Sequence, residues 1–159
     1  AFFGDLLTEK AAPYVFQRAQ MKVEAGKFRE AVADYNEYEK LVLGKASAEF
    51  FYVREQAEMQ CRLYQQALDD IEKAVEMDPK QVLYVVEQVA LYTRFSQFDK
   101  AVEAARKGIA LAPDNADLYR MLGFGQIQLK QKEEGKKNLL KAKELGDPNA
   151  QTLLDKYAK

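Results

Sequence analysis

The segment KFREAVADY (residues 27–35) recurs without gaps as LYQQALDDI (63–71), QFDKAVEAA (97–105) and QKEEGKKNL (131–139). Each copy holds a small residue at the same point, Ala31, Ala67, Ala101 and Gly135, at spacings of 36, 34 and 34 residues. A fixed period in this range marks a helical solenoid, in which each unit buries its apolar face only against its neighbours. Scarce Gly and Pro (8 and 4 residues) leave nearly the whole chain free to be helical.

Turn residues divide the units. Gly26 separates two apolar-periodic runs, about 12–25 and 28–43. The stretch Gly44-Lys45-Ala46-Ser47 closes the first unit, with Gly as a helix stop and Ser47 as N-cap of the next helix. Asp78-Pro79, Pro113-Asp114-Asn115 and Gly146-Asp147-Pro148 mark the later junctions, because proline suits a first helical turn and breaks an interior. The predicted organisation is a leading stretch (1–11), units over about 12–44, 45–79, 80–113 and 114–148, and a final helix within 149–159.

Within each unit an aromatic precedes the small residue (Phe28, Tyr64, Phe98), and a hydrophobic follows on the same face (Tyr35, Ile71, Leu139). Over residues 12–145 this pattern resembles the tetratricopeptide repeat, four units plus a C-terminal capping helix. The resemblance implies an all-α, right-handed superhelical solenoid of antiparallel helix pairs, each pair running helix A, tight turn, helix B. The small residue then sits where helix A crosses helix B, so Ala67 and Ala101 are expected to be fully buried. Unit four departs from the pattern at Lys132 and Gly135, and its helix B is expected to pack most loosely. In this fold the 16-residue spacing of Arg18 to Asp34 and of Arg54 to Asp70 would join the helices of units one and two as structural salt bridges. Units three and four lose both partners together, as Gln88 with Ala104 and Leu122 with Asn138. Joint loss is what a buried pair predicts, since removing one partner strands the other charge. The leading FFGDLLTEKA resembles the tail of a preceding helix B. Its Phe2, Phe3, Leu6 and Leu7 predict either further sequence upstream or self-association through an apolar segment.

Chemistry is sparse. The chain has no histidine, the commonest general base and zinc ligand, and one cysteine, so no intramolecular disulfide can form. Cys61 reads as core filling. Gly123 and Gly125, in MLGFGQI, fall inside a helix and read as close-packing residues rather than a phosphate loop. Neither an enzyme activity nor a cofactor or metal is indicated, and no apolar run reaches the length of a membrane span. The first residues, AFFGDLL, match neither a signal peptide nor an initiator methionine; a removed leader or a longer parent chain is expected, and the compartment is not indicated. Net charge is −1, but residues 1–79 hold ten basic and fifteen acidic side chains and residues 80–159 hold fourteen and ten. The lysines at 130, 132, 136, 137, 141 and 143 read as a solvated face, with a basic docking patch for an acidic partner as the alternative; no aromatics interleave with them, which argues against nucleic acid.

The resemblance also supplies a candidate site. In the family the A helices line a concave face where peptides or helices dock. Here that face would carry Phe16, Gln20 and Val23, then Tyr52, Gln56 and Met59, then Val86, Ala90 and Thr93, then Arg120, Phe124 and Ile127. Some family members grip a C-terminal carboxylate with cations on these helices. The matching slots hold Phe16, Gln20, Val53, Leu83 and Glu87, none of which can form such a clamp. The expected function is a non-enzymatic scaffold for a protein or peptide ligand. The alternatives are a purely structural segment of a longer array, or an accessory domain of a larger protein.

Overall fold

The computed structural model describes the backbone of residues 2–159 and side chains from residue 10 onward. The apolar cluster of Phe2, Phe3, Leu6 and Leu7 therefore lies outside the described side chains. Among the described residues the chain forms nine helices: α1 (Phe2–Glu24), α2 (Phe28–Leu41), α3 (Ala48–Gln60), α4 (Tyr64–Met77), α5 (Val82–Arg94), α6 (Phe98–Leu111), α7 (Ala116–Gln128), α8 (Lys132–Glu144) and α9 (Ala150–Tyr157). Residues 2–11 enter α1 without a break, and the helix continues through Pro13.

Local chemistry explains the boundaries. Ser47 accepts a hydrogen bond from the Phe50 amide at 3.1 Å, and Asn115 accepts one from the Leu118 amide at 3.0 Å, each satisfying a donor in the first turn of its helix. The four A–B turns are built alike. Gly26, Arg62, Ser96 and Lys130 each adopt positive φ, at 72°, 60°, 56° and 68°. The amide of the next residue then reaches back to the helix, as Lys27 to Lys22, Leu63 to Glu58, Gln97 to Tyr92 and Gln131 to Gln126, at 2.8–2.9 Å. This is the Schellman helix stop, which glycine adopts most easily. Only the first of the four turns uses glycine. The other three hold a side chain in the left-handed region at a cost of roughly 1–2 kcal/mol each.

The chain divides into two compact units, Ala1–Met77 and Asp78–Lys159. In the first, α1 packs on α2, α2 on α3 and α3 on α4; in the second, α5 packs on α6, α6 on α7, α7 on α8 and α8 on α9. The core of the first unit includes Tyr35, Phe50 and Ile71, and that of the second includes Val89, Leu91, Leu118 and Leu139. Ala31, Ala67 and Ala101 have no exposed surface.

The expectation of a loose helix B in unit four is corrected. Gly135 of α8 is buried, and a Cβ built there would lie 2.7 Å from the Gly123 carbonyl oxygen and 2.6 Å from Cγ1 of Ile127. A Cβ on Gly123 would meet the Gly135 carbonyl oxygen at 2.7 Å as well. Two facing glycines bring α7 and α8 closer than alanine allows.

Gly135→Ala, although it restores the residue found in the other three units, is thus expected to lower the melting temperature. Alanine gains about 1 kcal/mol of helix propensity. Overpacking against backbone that cannot yield costs more, up to roughly 3 kcal/mol. A raised Tm in thermal unfolding followed by circular dichroism would contradict the close approach.

Candidate functional site

The first unit contains two ion-pair centres at equivalent repeat positions. In the first, Arg18 of α1 donates from Nε and Nη2 to Asp34 of α2, at 2.8 and 2.9 Å. Lys22 lies 2.8 Å from the same carboxylate, which is buried while Arg18 is half exposed. The Arg18 hydrogen bond, and after it that of Lys22, overcome burial and hold the Asp34 carboxyl below its usual range.

In the second centre, Arg54 of α3 donates to Asp70 of α4 from Nε at 2.6 Å and from Nη2 at 2.8 Å. It also bonds Glu39 and, at 3.1 Å, Asn36, both on α2. Its guanidinium lies over the Phe50 ring, 4.8 Å from the centroid. Arg54 is 5% exposed, so one cation ties three helices together inside the unit. Burial works to lower its pKa, and the hydrogen bonds it donates to Asp70 and Glu39 more than offset it.

The two centres differ at one position. Four residues after its arginine, the first has Lys22 and the second has Glu58. Glu58 is 4% exposed, with Oε1 3.9 Å from Arg54 Nε. Burial first, and then the Asp70 charge, push its carboxyl from 4.5 up to about 8. Burial and the neighbouring Asp70 carboxylate thus favour the neutral form of Glu58. Lys22 adds a positive charge beside Asp34, whereas a neutral Glu58 only withholds a second negative charge from Asp70.

The candidate docking residues fall into several environments. Phe16 is half-buried, with its ring 5.7 Å from that of Tyr35 and 5.1 Å from that of Tyr38. Together with Gln20 it lines a cleft of about 540 Å³, whose other walls are Ala12, Pro13 and Gln17 of α1, Tyr38 of α2, and Val42. Val23, Tyr52 and Met59 are half-buried and Gln56 is exposed, all outside this cleft. Gln56 donates to Glu55 beside it. Val86, Ala90 and Thr93 on α5 are half-buried, and the Thr93 hydroxyl donates to the Val89 carbonyl of its own helix at 2.8 Å.

The three candidates on α7 are engaged within their own unit. Arg120 donates to Asp147 and Asp117, each at 2.8 Å. Phe124 stacks edgewise between Phe98 and Tyr157, at 5.9 and 5.7 Å. Ile127 packs on the core cluster of Leu139, Leu154 and Ala158. Asp147 also accepts from the Asn149 amide at 2.8 Å and so sets the approach to α9. No repeat period announces the Arg120–Asp147 pair, which spans 27 residues. A smaller polar contact, in which Asn138 Nδ2 donates to Gln126 Oε1 at 2.6 Å, joins the helices of the fourth repeat.

Among the described residues no group of Cys, Asp or Glu is arranged to hold a metal ion, and no helix is long and apolar enough to cross a membrane.

No family profile matches the chain. Sperm-associated antigen 1 of Mus musculus is 31% identical to it over 133 residues, which make up 80% of this chain and 14% of that protein. The chain thus spans about a seventh of the length of this curated relative. Among solved structures, YrrB, a TPR protein with an unusual peptide-binding site, superposes with a TM-score of 0.82 at 17% identity, covering 92% of this chain and 74% of YrrB. The first TPR of Spaghetti (RPAP3), bound to the HSP90 peptide SRMEEVD, superposes with a TM-score of 0.66 at 23% identity, over 70% of this chain and 90% of the other. At these identities the structural likeness is one of fold.

Two predictions follow from the ion-pair centres. Arg54→Ala strands a buried Asp70 and should destabilise the chain by about 3–5 kcal/mol in urea unfolding. Arg18→Ala should cost less, because Lys22 still serves Asp34 and Arg18 is solvated. Equal losses would show that burial does not separate the two centres. For Glu58, the folded chain holds a proton that the unfolded chain releases between pH 4.5 and about 8. That contribution is complete below the unfolded value and is lost as the pH rises through the folded one. Glu58→Gln is neutral at every pH. It should flatten the dependence of the urea midpoint on pH and make the variant more stable than the native chain by about 1 kcal/mol or more in alkaline solution. Parallel profiles for the two chains would refute the retained proton.

Proposed function

The chain folds as a tetratricopeptide-repeat array, and on that footing we propose that it is a non-enzymatic scaffold docking a peptide or short helix of a partner protein. The cleft between Phe16 and Tyr38 carries the proposal. Its floor is aromatic and aliphatic, from Phe16, Tyr38, Ala12, Pro13 and Val42, and its rim offers the amides of Gln17 and Gln20. An apolar floor with a few hydrogen-bonding groups at the edge suits a bound segment, since side chains enter the floor and the amides meet the backbone. None of the lining residues is charged, so the ligand is a segment with an apolar anchor rather than an acidic tail. The missing cations in the carboxylate-clamp slots agree with this. YrrB and RPAP3, which share the fold, carry peptide-binding functions in their own descriptions and lend support to the class of ligand.

A random-peptide library selected on the native chain tests the reading. Selected peptides should share an apolar anchor and lose at least about ten-fold in affinity, 1.4 kcal/mol, when Gln17 and Gln20 are both replaced by Glu. Both positions are exposed, so helicity should persist. Undiminished binding to Q17E/Q20E would place the docking surface elsewhere.

A further inference from the structure

A second cleft of about 540 Å³ lies at the turn edge of the first unit, where the α1–α2 turn faces the α3–α4 turn. Its lining includes three cations, Lys27, Arg29 and Arg62, against a single carboxylate, Glu30, with Phe28 and Cys61 half-buried between them. Arg18, Lys22 and Arg54 of the same unit are held by carboxylates, and Lys73 lies over the Phe51 ring. Among the described residues Lys27, Arg29 and Arg62 form no ion pair, side-chain hydrogen bond or cation–π contact. Their cluster stands out because residues 1–77 hold ten basic and fourteen acidic side chains.

The second unit provides an internal comparison. At the corresponding turn edge, Lys100 and Lys130 stand in register with Glu30 and Arg62, and Lys100 lies over the Tyr92 ring. In the repeat register Gln97 and Asp99 stand where the first repeat has Lys27 and Arg29. The repeat scaffold therefore does not require Lys27 and Arg29 at the first cleft, while a cation recurs at the place of Arg62.

We infer that the turn-edge cleft of the first unit docks an acidic segment of a partner protein, a short run of Asp or Glu side chains. Two guanidinium groups can each receive a carboxylate through paired N–H donors, and Lys27 adds a point charge. The half-buried Phe28 ring supplies apolar contact for the methylene stems. A nucleic acid fits less well. A long polyanion would run from the cleft onto a net-negative surface, and its affinity depends on many phosphate contacts in a row. This surface is separate from the Phe16–Tyr38 cleft, and neither proposal rests on the other.

The test is fluorescence anisotropy of the whole chain with fluorescein-labelled hexaglutamate, hexaglutamine and an oligouridylate of matching charge. Hexaglutamate should bind, weaken with added salt, and lose at least about ten-fold in affinity in the double variant Arg29→Gln, Arg62→Asn. Asparagine is chosen at 62 because it tolerates the positive φ there. The double variant Arg106→Gln, Lys107→Gln, on the other unit, should bind as the native chain does. Circular dichroism confirms that both variants remain helical. Equal binding of hexaglutamine, undiminished binding to the first variant, or equal loss in the second would overturn the proposal. Tighter binding of the oligouridylate would assign the cleft to nucleic acid instead.

Discussion

Where Gly135 meets Gly123, the backbones of α7 and α8 come closer than a methyl group would permit. That contact is the extreme form of the constraint on which each repeat depends: helix B must present a very small residue where helix A crosses it. Ala31, Ala67 and Ala101 meet it in the other three repeats, each with no surface left exposed. Once the crossing is close, the residues one turn away are committed. Tyr35, Ile71 and Leu139 go into the core. The A–B turn then has little freedom, and four different residues take the same left-handed conformation at the same repeat position. Local preference for glycine gives way to the packing of the pair.

The close crossing also creates the setting for charge. Side chains on facing helices at the 16-residue separation are within reach of each other, and the first two repeats place an Arg and an Asp there. The same pair has different physics in the two settings. Arg18 remains in water, and Lys22 shares the work of neutralising Asp34. Arg54 is enclosed by α2, α3, α4 and the Phe50 ring, and the position of the lysine holds Glu58, whose burial beside Asp70 favours its neutral form. Desolvation of this buried cation offsets much of the attraction to its partners.

Packing likewise decides which surfaces remain for a partner. On α7 the candidate side chains are used internally, by Asp147, by Tyr157 of α9 and by the core cluster around Leu139. On α1, Phe16 keeps an edge in an open cleft beside Tyr38. The proposed peptide site and the proposed acidic-segment site differ in chemistry for this reason. One is an apolar face between the helices of a pair, and the other is a turn edge where unpaired cations gather.

The sequence by itself determined the repeat and its register. The small residues, Ser47, Asn115 and the junction prolines act locally and recur at a fixed period, so they can be read without coordinates. The Arg–Asp pairing was legible for the same reason, since two copies carry it and two lack both partners. What the sequence concealed depends on burial and on contacts without a period. Glu58 looks like any helix-surface glutamate until its surroundings raise its pKa. Gly135 looks like a weak spot until Gly123 faces it. Arg120 looks like a groove residue until Asp147, 27 positions away, claims it. Only the tertiary structure settles such cases, because exposure and the dielectric around a charge belong to all the neighbours of a side chain and not to its place in the repeat.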